Sequence, residues 1–342
     1  MGAGLESITR PRRPGCLNAR SSLRVIRAGL LMPAALLFLS SSPSFAQPFP
    51  KKKQVLKSMR IANDYFMRKW PDTGKDIFVP SKKRTWPSNI WTRAVYYEGL
   101  TALYAVEPKR SQKKRYYDYA VQWGEKHRWG LRSGIETRNG DNQACGQTYL
   151  DLYTLTGKQH PGWIKDIKAS IDLMLQSGKI DDWNWIDALQ MAMPVFARLG
   201  ALTGDTAYFH RNYKMYAFTK YRHGGNGLYN PEDKLWWRDK DFVPPYKEPN
   251  GEDCYWSRGN GWVVAALART LERTPSSDPH YAEYLQDYKD MLSAIIQVQR
   301  PDGLWNVSLH DPNHYGNPEL TGTALFVYGM AWGINRRLLD PD

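Results

Sequence analysis

The sequence predicts an all-α protein built of consecutive helix hairpins. Apolar residues recur at three- and four-residue spacing in ten segments, which is the period of amphipathic helices. The breaks between these segments carry Gly, Pro, Asp and Ser turn signals. No linker and no strand–helix alternation divides the 342 residues, so we expect one large domain.

The elements follow from this periodicity in chain order. Residues 227–243 form the one segment with a non-helical, aromatic pattern, and we expect a short hairpin or an ordered loop there. The predicted helices span 54–69, 89–106, 110–129, 141–156, 162–177, 183–202, 205–221, 256–273, 279–299 and 320–338.

Residues 1–46 have the pattern of an export signal. Arg20, Arg24 and Arg27 precede the apolar run 28–39, and Ser44-Phe45-Ala46 offers small residues for cleavage. The apolar run is too short to span a bilayer comfortably. We therefore expect a mature domain over 47–342 that is periplasmic or secreted and free of the membrane after signal cleavage.

The net charge favours an anionic partner. The formal charge is +13, and it is +8 without residues 1–46. Nucleic acid does not suit an exported protein, which leaves an anionic lipid or an acidic polysaccharide as the ligand that a basic surface suits. A plain solvated surface of scattered lysines is the alternative reading, and the charge does not decide between them.

The cysteines and histidines suggest no metal centre. Cys145 and Cys254 remain after signal cleavage, and they either form one disulfide or are two small buried residues. The chain has no CxxC or HExxH motif, and its seven histidines are dispersed. We therefore expect no metal ion.

The segment 183–200 carries the first candidate catalytic group. Asp187 is the single carboxylate inside its apolar run, close in sequence to Trp183 and Trp185. Asp181 and Asp182 precede the run, where acidic residues cap helices. A carboxyl that loses hydration against indole rings has a raised pKa, as a general acid requires. An Asp that caps a neighbouring helix or pairs with an Arg is the alternative.

Three further segments are candidates for ligand contact. In 139–149 Asp141 opens a helix, and N-capping by Asp141 or Asn142 is the simple alternative. In 255–267 Arg258 and Trp262 lie four residues apart on one helix face, a pair that suits a sugar carboxylate. Glycines in this segment indicate close approach of a ligand or another backbone. The polar helix start in 319–328 fits capping, close packing or ligand contact.

Tryptophans near predicted helix starts and in loops indicate a cleft that stacks on sugar rings, although aromatic packing within a helical core is the alternative. Asp141 and Asp187 at the starts of successive hairpin helices would supply the two carboxylates that glycoside hydrolysis needs. The tryptophans concerned include Trp86, Trp91, Trp183, Trp185, Trp236, Trp237, Trp256, Trp262 and Trp305.

Four motifs together resemble the unsaturated glycuronyl hydrolases of glycoside hydrolase families 88 and 105, and most closely the unsaturated rhamnogalacturonyl hydrolases. They are GDNQACGQTYLDLY at 140–153, WIDALQMAMP at 185–194, WSRGNGWVVAAL at 256–267 and TGTALFVYGMAWGIN at 321–335. The resemblance implies an (α/α)6 toroid. It also implies an enzyme that hydrates the C4=C5 double bond of a terminal unsaturated uronic acid on lyase-generated oligosaccharides, without a cofactor.

Residue roles follow from the same resemblance. Asp187 would be the general acid and then the base for water, and Asp141 the second carboxylate. Trp185, Arg258 and Trp262 would line the uronate pocket, and we add Trp91 as a candidate for substrate contact.

The sequence departs from these families in three places. Arg238 is the candidate to replace a His that many relatives place in the segment 235–239. The His-Lys pair that some relatives carry is missing from 178–182. Relatives continue with a further hairpin, so the toroid is predicted to be incomplete at its C-terminus.

Rival functions remain open at this point. They are an ordinary inverting glycosidase on the same toroid, a non-catalytic sugar-binding protein and a polysaccharide lyase. The sequence does not specify the uronate, its neighbouring sugar or the oligomeric state.

Overall fold

A computed structural model describes residues 50–340. The predicted export signal, residues 1–46, lies outside the described residues. All ten predicted helices are present, one of them divided in two. The helices are α1 Lys52–Lys69, α2 Trp91–Val106, α3 Arg110–Lys126, α4 Gly140–Gln143, α5 Cys145–Leu155, α6 Lys165–Gln176, α7 Asp187–Thr203, α8 Ala207–Tyr221, α9 Ser257–Leu271, α10 Tyr281–Gln297 and α11 Leu320–Asn335.

Two small antiparallel hairpins accompany the helices. Strands β3 (Tyr229–Asn230) and β4 (Leu235–Trp236) confirm the hairpin expected in 227–243. Strands β1 (Ile77–Val79) and β2 (Arg84–Trp86) form a second hairpin, which the helical periodicity did not predict.

The helices alternate between an inner and an outer row, as in the toroid that the sequence predicts. The inner row runs α2, α5, α7, α9 and α11, each packed on the next, with the short α4 between α2 and α7. Helices α3, α8 and α10 pack behind their inner neighbours, and α6 packs on α8. Each hairpin thus places the first turn of an inner helix at the same edge of the row.

Helix α7 is largely buried, but it begins later than predicted. Trp183–Ile186 is not helical: Trp185 forms a β-bridge with Asp239, and the Ile186 N–H donates to the Arg238 carbonyl at 3.0 Å. The prediction that Asp181 or Asp182 caps the helix was wrong, since the N-cap residue is Ile186. The Asp182 carboxylate instead receives two hydrogen bonds from Arg138.

Glycines let α9 and α11 approach each other closely. A Cβ on Gly261 would lie 2.8 Å from Leu325 Cβ, and one on Gly329 would lie 2.3 Å from Val264 Cγ1. A Cβ on Gly259 would meet Ile186 at 2.8 Å. Of the two predicted reasons for the glycines at 259 and 261, close packing of protein on protein is the one the structure supports.

A buried polar network links four inner helices. Glu98 of α2 lies 3.6 Å from Arg269 of α9 and accepts a hydrogen bond from Gln190 of α7 at 3.2 Å. Arg269 also donates to Gln147 of α5 at 3.0 Å. Burial raises the pKa of Glu98, and Arg269 works in the opposite direction. These contacts fix the inner helices relative to one another far from the surface.

Helices α1 and α11 expose apolar side chains. On α11, Leu320 is 73% exposed and Val327 is 53% exposed. On α1, Ile61 is 60% exposed. Apolar area of this kind remains in contact with water in the described part of the chain.

Two remaining sequence expectations concern the thiols and the membrane. Cys145 and Cys254 are both free and buried, so the alternative of two small buried residues was correct and the disulfide was not. Between residues 50 and 340, none of the helices combines the length and apolarity that crossing a bilayer requires.

Candidate active site

The first turns of the inner helices converge at one edge of the row. A Cβ on Gly140 at the start of α4 would lie 3.2 Å from the Ala188 carbonyl at the start of α7. The Trp91 ring of α2 contacts the Trp262 ring of α9, edge to face, with centroids 6.4 Å apart. Residues far apart in sequence therefore meet where Asp141 and Asp187 lie.

Asp187 is the first residue of α7, and burial dominates its electrostatics. Burial raises the pKa of its carboxyl to about 7; Arg258 and Arg238 oppose that shift, while Asp141 adds to it. No ion pair joins Asp187 to an arginine among the described residues. Its Oδ1 is buried without a hydrogen-bond partner there. The carboxyl therefore holds a proton near neutral pH and keeps one oxygen uncommitted.

Asp141 is the second residue of α4, and it is also perturbed. Burial raises the pKa of this carboxyl to about 6, with Arg132 acting against the shift. The capping alternative was wrong for this helix, since its N-cap is Asn139 and no side chain caps it. Asn142 instead receives a hydrogen bond from Arg132 and donates one to Thr137.

The predicted pair of Arg258 and Trp262 is arranged differently from expectation. The Arg258 guanidinium lies 4.2 Å from the ring centroid of Trp256, and it forms a long ion pair with Glu319 at 3.7 Å. Trp262, only 3% exposed, is packed near Trp91. The arginine thus has an indole neighbour, but that neighbour is the residue two positions before it.

Trp185 and Arg238 lie on the loop segments beside Asp187. Trp185 keeps part of its surface exposed and is bridged to Asp239. The Arg238 guanidinium pairs with the Asp239 carboxylate next to it. Both side chains belong to the surroundings of Asp187.

The aromatic prediction holds for some tryptophans only. Trp86, Trp91, Trp185 and Trp256 keep partial exposure. The other tryptophans named above pack in the core. Trp183, Trp236 and Trp305 are fully buried, and Trp237 and Trp262 are nearly so.

Sequence reasoning missed two charged residues near the site. Arg132 acts on Asp141, and Asp239 acts on Asp187. In the segment 319–328 the capping reading is confirmed, since the Glu319 side chain caps α11 by accepting the Gly322 N–H, and Glu319 also pairs with Arg258. Loop residues such as Arg132 and Asp239 carry no periodicity that would have marked them.

A separate cluster lies where the loops before α9 and α11 meet. Glu248, Asp311 and His314 bring possible metal-ligand atoms within 4.8 Å of one another. Glu248 accepts hydrogen bonds from Ser308 at 2.5 Å and contacts His314 Nδ1 at 3.1 Å. These contacts account for the buried carboxylate as part of a hydrogen-bonded loop junction.

The arrangement suits acid–base chemistry on an anionic sugar. A carboxyl with a raised pKa lies near a second carboxyl with a raised pKa, and arginines act on both. Such a carboxyl can give a proton near neutral pH, and partly exposed indoles can pack on sugar rings. The profile of Glycosyl Hydrolase Family 88 matches residues 58–342.

The chain belongs to Glycosyl Hydrolase Family 88. It is therefore an enzyme of a family of glycoside hydrolases that act on oligosaccharides produced by polysaccharide lyases. The family also explains the mostly helical architecture, since its known structures are (α/α)6 toroids.

Individual relatives place the chain near the unsaturated glycuronyl hydrolases. It is 32% identical over 272 residues to an unsaturated 3S-rhamnoglycuronyl hydrolase of Formosa agariphila, covering 74% of this chain and 69% of the relative. A family 88 glycosyl hydrolase from Bacteroides vulgatus is similar in structure, with a TM-score of 0.74, 29% identity and coverage of 85% and 81%. A protein described as a polysaccharide lyase matches with a TM-score of 0.73, 28% identity and coverage of 84% and 79%.

Proposed function

We propose that this family 88 enzyme hydrates the C4=C5 double bond of a terminal unsaturated uronic acid and thereby releases the neighbouring sugar. The observation that carries the proposal is the Asp187 carboxyl, which is half-buried with its Oδ1 shielded from solvent and whose pKa, raised to about 7, lets it hold a proton at working pH. Its Oδ1 has no hydrogen-bond partner among the described residues and so remains available to a substrate.

The reaction proceeds in three balanced steps. Asp187 gives its proton to C4, and positive charge develops at C5, where the ring oxygen stabilises it. Water adds its oxygen to C5 and returns a proton to the Asp187 carboxylate. The hemiketal opens by breakage of the C5–O5 bond, and the hemiacetal freed at C1 expels the neighbouring sugar with its hydroxyl proton restored.

Nearby groups support these steps in defined ways. Asp141 repels a second negative charge and so helps to keep Asp187 protonated. Arg258, beside Trp256, is placed to pair with the uronate carboxylate, because its ion pair with Glu319 is long at 3.7 Å. Trp185 offers an indole face next to the acid.

The substrate proposed is an unsaturated uronate attached to rhamnose, of the kind that lyases release from rhamnogalacturonan. Support comes from the four motifs of the rhamnogalacturonyl hydrolases and from the Formosa relative, whose name specifies a rhamnoglycuronyl substrate. The basic surface fits an anionic oligosaccharide.

The test is the ultraviolet absorbance of the 4,5-unsaturated uronate, followed in lyase digests of rhamnogalacturonan, ulvan and glycosaminoglycan. Hydration removes the double bond, so we expect the absorbance to fall with the purified enzyme. Sugar release with the band intact would indicate an ordinary inverting glycosidase. A rising band on intact polysaccharide would indicate a lyase, the candidate that the structural neighbour described above favours. Binding without any turnover would indicate a sugar-binding protein.

We also propose that the protein is exported and that its signal is removed. The basic, apolar and small-residue regions of residues 1–46 support cleavage after Ala46 and a periplasmic or secreted enzyme. Mass spectrometry of the protein recovered outside the cytoplasm should give a first residue at Gln47. Recovery of the full-length chain from the cytoplasm would contradict export.

A further inference from the structure

Two arginines flank one indole at the edge of the site. The Arg132 guanidinium carbon lies 4.3 Å from the Trp86 ring centroid, and that of Arg84 lies 5.2 Å from it. Trp86 and Arg84 belong to β2, whereas Arg132 lies on the loop between α3 and α4. Two separate chain segments therefore bring positive charge to one aromatic ring, which holds the guanidinium groups in place.

Neither guanidinium forms a close ion pair with a carboxylate in the described part of the chain, although Asp141 acts on Arg132 from a longer distance. Between residues 50 and 340, no ion pair involves Arg84 or Arg132, whereas Arg138 and Arg238 each pair with an aspartate. The hydrogen bond of Arg132 goes to a neutral amide, Asn142 Oδ1, at 3.2 Å. Burial and then the like charge of Arg84 lower the pKa of Arg132, whereas the nearby Asp141 carboxyl raises it. Two like charges that share one ring, with Asp141 acting on only one of them, are stabilised when a further anion binds.

Position connects this pair to catalysis. Asn142 follows Asp141 directly, so Arg132 borders the second carboxylate of the site. Arg258 and Arg238 instead act on Asp187. Positive charge is thus present on two sides of the carboxyl pair, and a uronate carboxylate held by Arg258 leaves the Arg132 side free for another anionic group.

We propose that Arg132, Arg84 and Trp86 form a second anion-binding subsite, which recognises a sulfate ester or carboxylate on the sugar that neighbours the unsaturated uronate. The subsite rests on the function proposed above. A guanidinium fork donates two parallel hydrogen bonds to such an oxyanion, and the indole holds the fork in position before the ligand arrives.

The test compares substrates that differ in one charge. Wild-type enzyme and Arg132→Gln are assayed on an unsaturated uronyl–rhamnose disaccharide with and without a sulfate ester on the rhamnose. An unsaturated digalacturonate supplies the arm with a carboxylate on the neighbouring sugar. We expect Arg132→Gln to lower kcat/KM for the sulfated or the carboxylated substrate by at least tenfold more than for the neutral one, whatever general effect its loss has on Asp141. The arm that loses activity identifies the anion.

Two controls separate a binding role from general effects. Arg68→Gln removes an exposed arginine of α1 and should leave the ratio between substrates unchanged. Arg132→Lys keeps the charge but not the fork, and we expect an intermediate loss. An equal loss by Arg132→Gln on all three substrates would overturn the subsite, and so would no loss on any of them.

Calorimetric titration of the same disaccharides decides the question without turnover. In an Asp187→Asn background the Kd for the anionic disaccharide should rise at least tenfold when Arg132→Gln is added. If the wild-type enzyme leaves the double bond of every substrate intact, the proposed function fails, but this titration still tests the subsite. An unchanged Kd would overturn it.

Discussion

Asp187 shows how its place in the fold gives one residue the raised pKa that a general acid requires. The sequence marked it as a lone carboxylate in an apolar run, and that pattern was sufficient to predict a raised pKa. The expected helical setting of Trp183 and Trp185 was wrong, because a bridge to Asp239 keeps this segment extended. The local sequence pattern therefore identified the Asp187 carboxyl. Its surroundings, however, depend on the bridge between Trp185 and the loop residue Asp239, which lie 54 positions apart in the chain.

Replacing the acid should abolish most of the activity. Asp187→Asn keeps the size of the side chain and removes its transferable proton, so we expect kcat to fall 10²–10⁴-fold, the usual contribution of general acid–base catalysis. Loss of the ultraviolet band in a purified-protein assay measures this, with circular dichroism to verify folding. A kcat within threefold of wild type would remove Asp187 from the mechanism.

The pH dependence of activity follows from the same group. The acid must be protonated in the free enzyme, so kcat/KM should be highest below about pH 7 and fall above it, tracking the raised pKa of Asp187. Initial rates across pH 5–9, at one ionic strength, check this. A plateau that extends to pH 9 would show that another group supplies the proton.

Stability should respond to pH in the opposite sense to a salt-bridged carboxylate. The folded-state pKa of Asp187 lies above its unfolded value, so the folded protein retains a proton that the unfolded chain releases between about pH 4 and 7. Stability from this group is present below that window and is lost as the pH rises through it. We expect Asp187→Asn to be more stable than wild type at pH 8, by about 1–3 kcal/mol, and similar to it below pH 4. Denaturant unfolding at both pH values decides the matter; equal stabilities at pH 8 would contradict the raised pKa.

At the scale of elements, the contact between α9 and α11 is the clearest case of sequence dictating packing. Both helices carry glycines where the neighbouring helix leaves no room for a Cβ, as at Gly261 and Gly329. The sequence indicated close approach at 259 and 261 but left the approaching group open. Only the folded arrangement shows that protein side chains, and not a ligand, occupy that space.

A glycine substitution tests this contact. Gly261→Ala places a Cβ 2.8 Å from Leu325 Cβ, so α9 and α11 must move apart, and we expect a loss of about 1–3 kcal/mol. Gly178→Ala is the matched control, because nothing lies within 4 Å of its added Cβ. Urea unfolding of both variants measures the difference. A Gly261→Ala variant as stable as the control would show that the helices have space to spare.

At the scale of the whole domain, the network around Glu98 and Arg269 holds the inner row together. Its members come from α2, α5, α7 and α9, and the most distant pair in sequence, Glu98 and Arg269, is 171 residues apart. No local sequence pattern predicts such pairs, since each residue taken alone is typical of a solvent-exposed polar side chain on a helix. The helices and their order follow from periodicity and turn residues, whereas this network follows from the ring they form.

Replacing one residue of the Glu98–Arg269 pair should therefore lower the free energy of unfolding more than replacing both. Arg269→Met leaves the buried Glu98 without its cationic partner, and we expect a loss of about 3–5 kcal/mol. Adding Glu98→Gln neutralises the orphaned carboxyl and should restore part of that stability. Thermal and denaturant unfolding of the single and double variants measure the coupling. Strictly additive losses would show that the two side chains do not act together.

The most direct test of the account is the position at which a solvent proton enters the product. When the enzyme acts on an unsaturated uronyl–rhamnose disaccharide in D2O, hydration by Asp187 predicts one deuterium on C4 of the former uronate, seen by NMR early in the reaction. A product released with its double bond intact and no deuterium on C4 would contradict it.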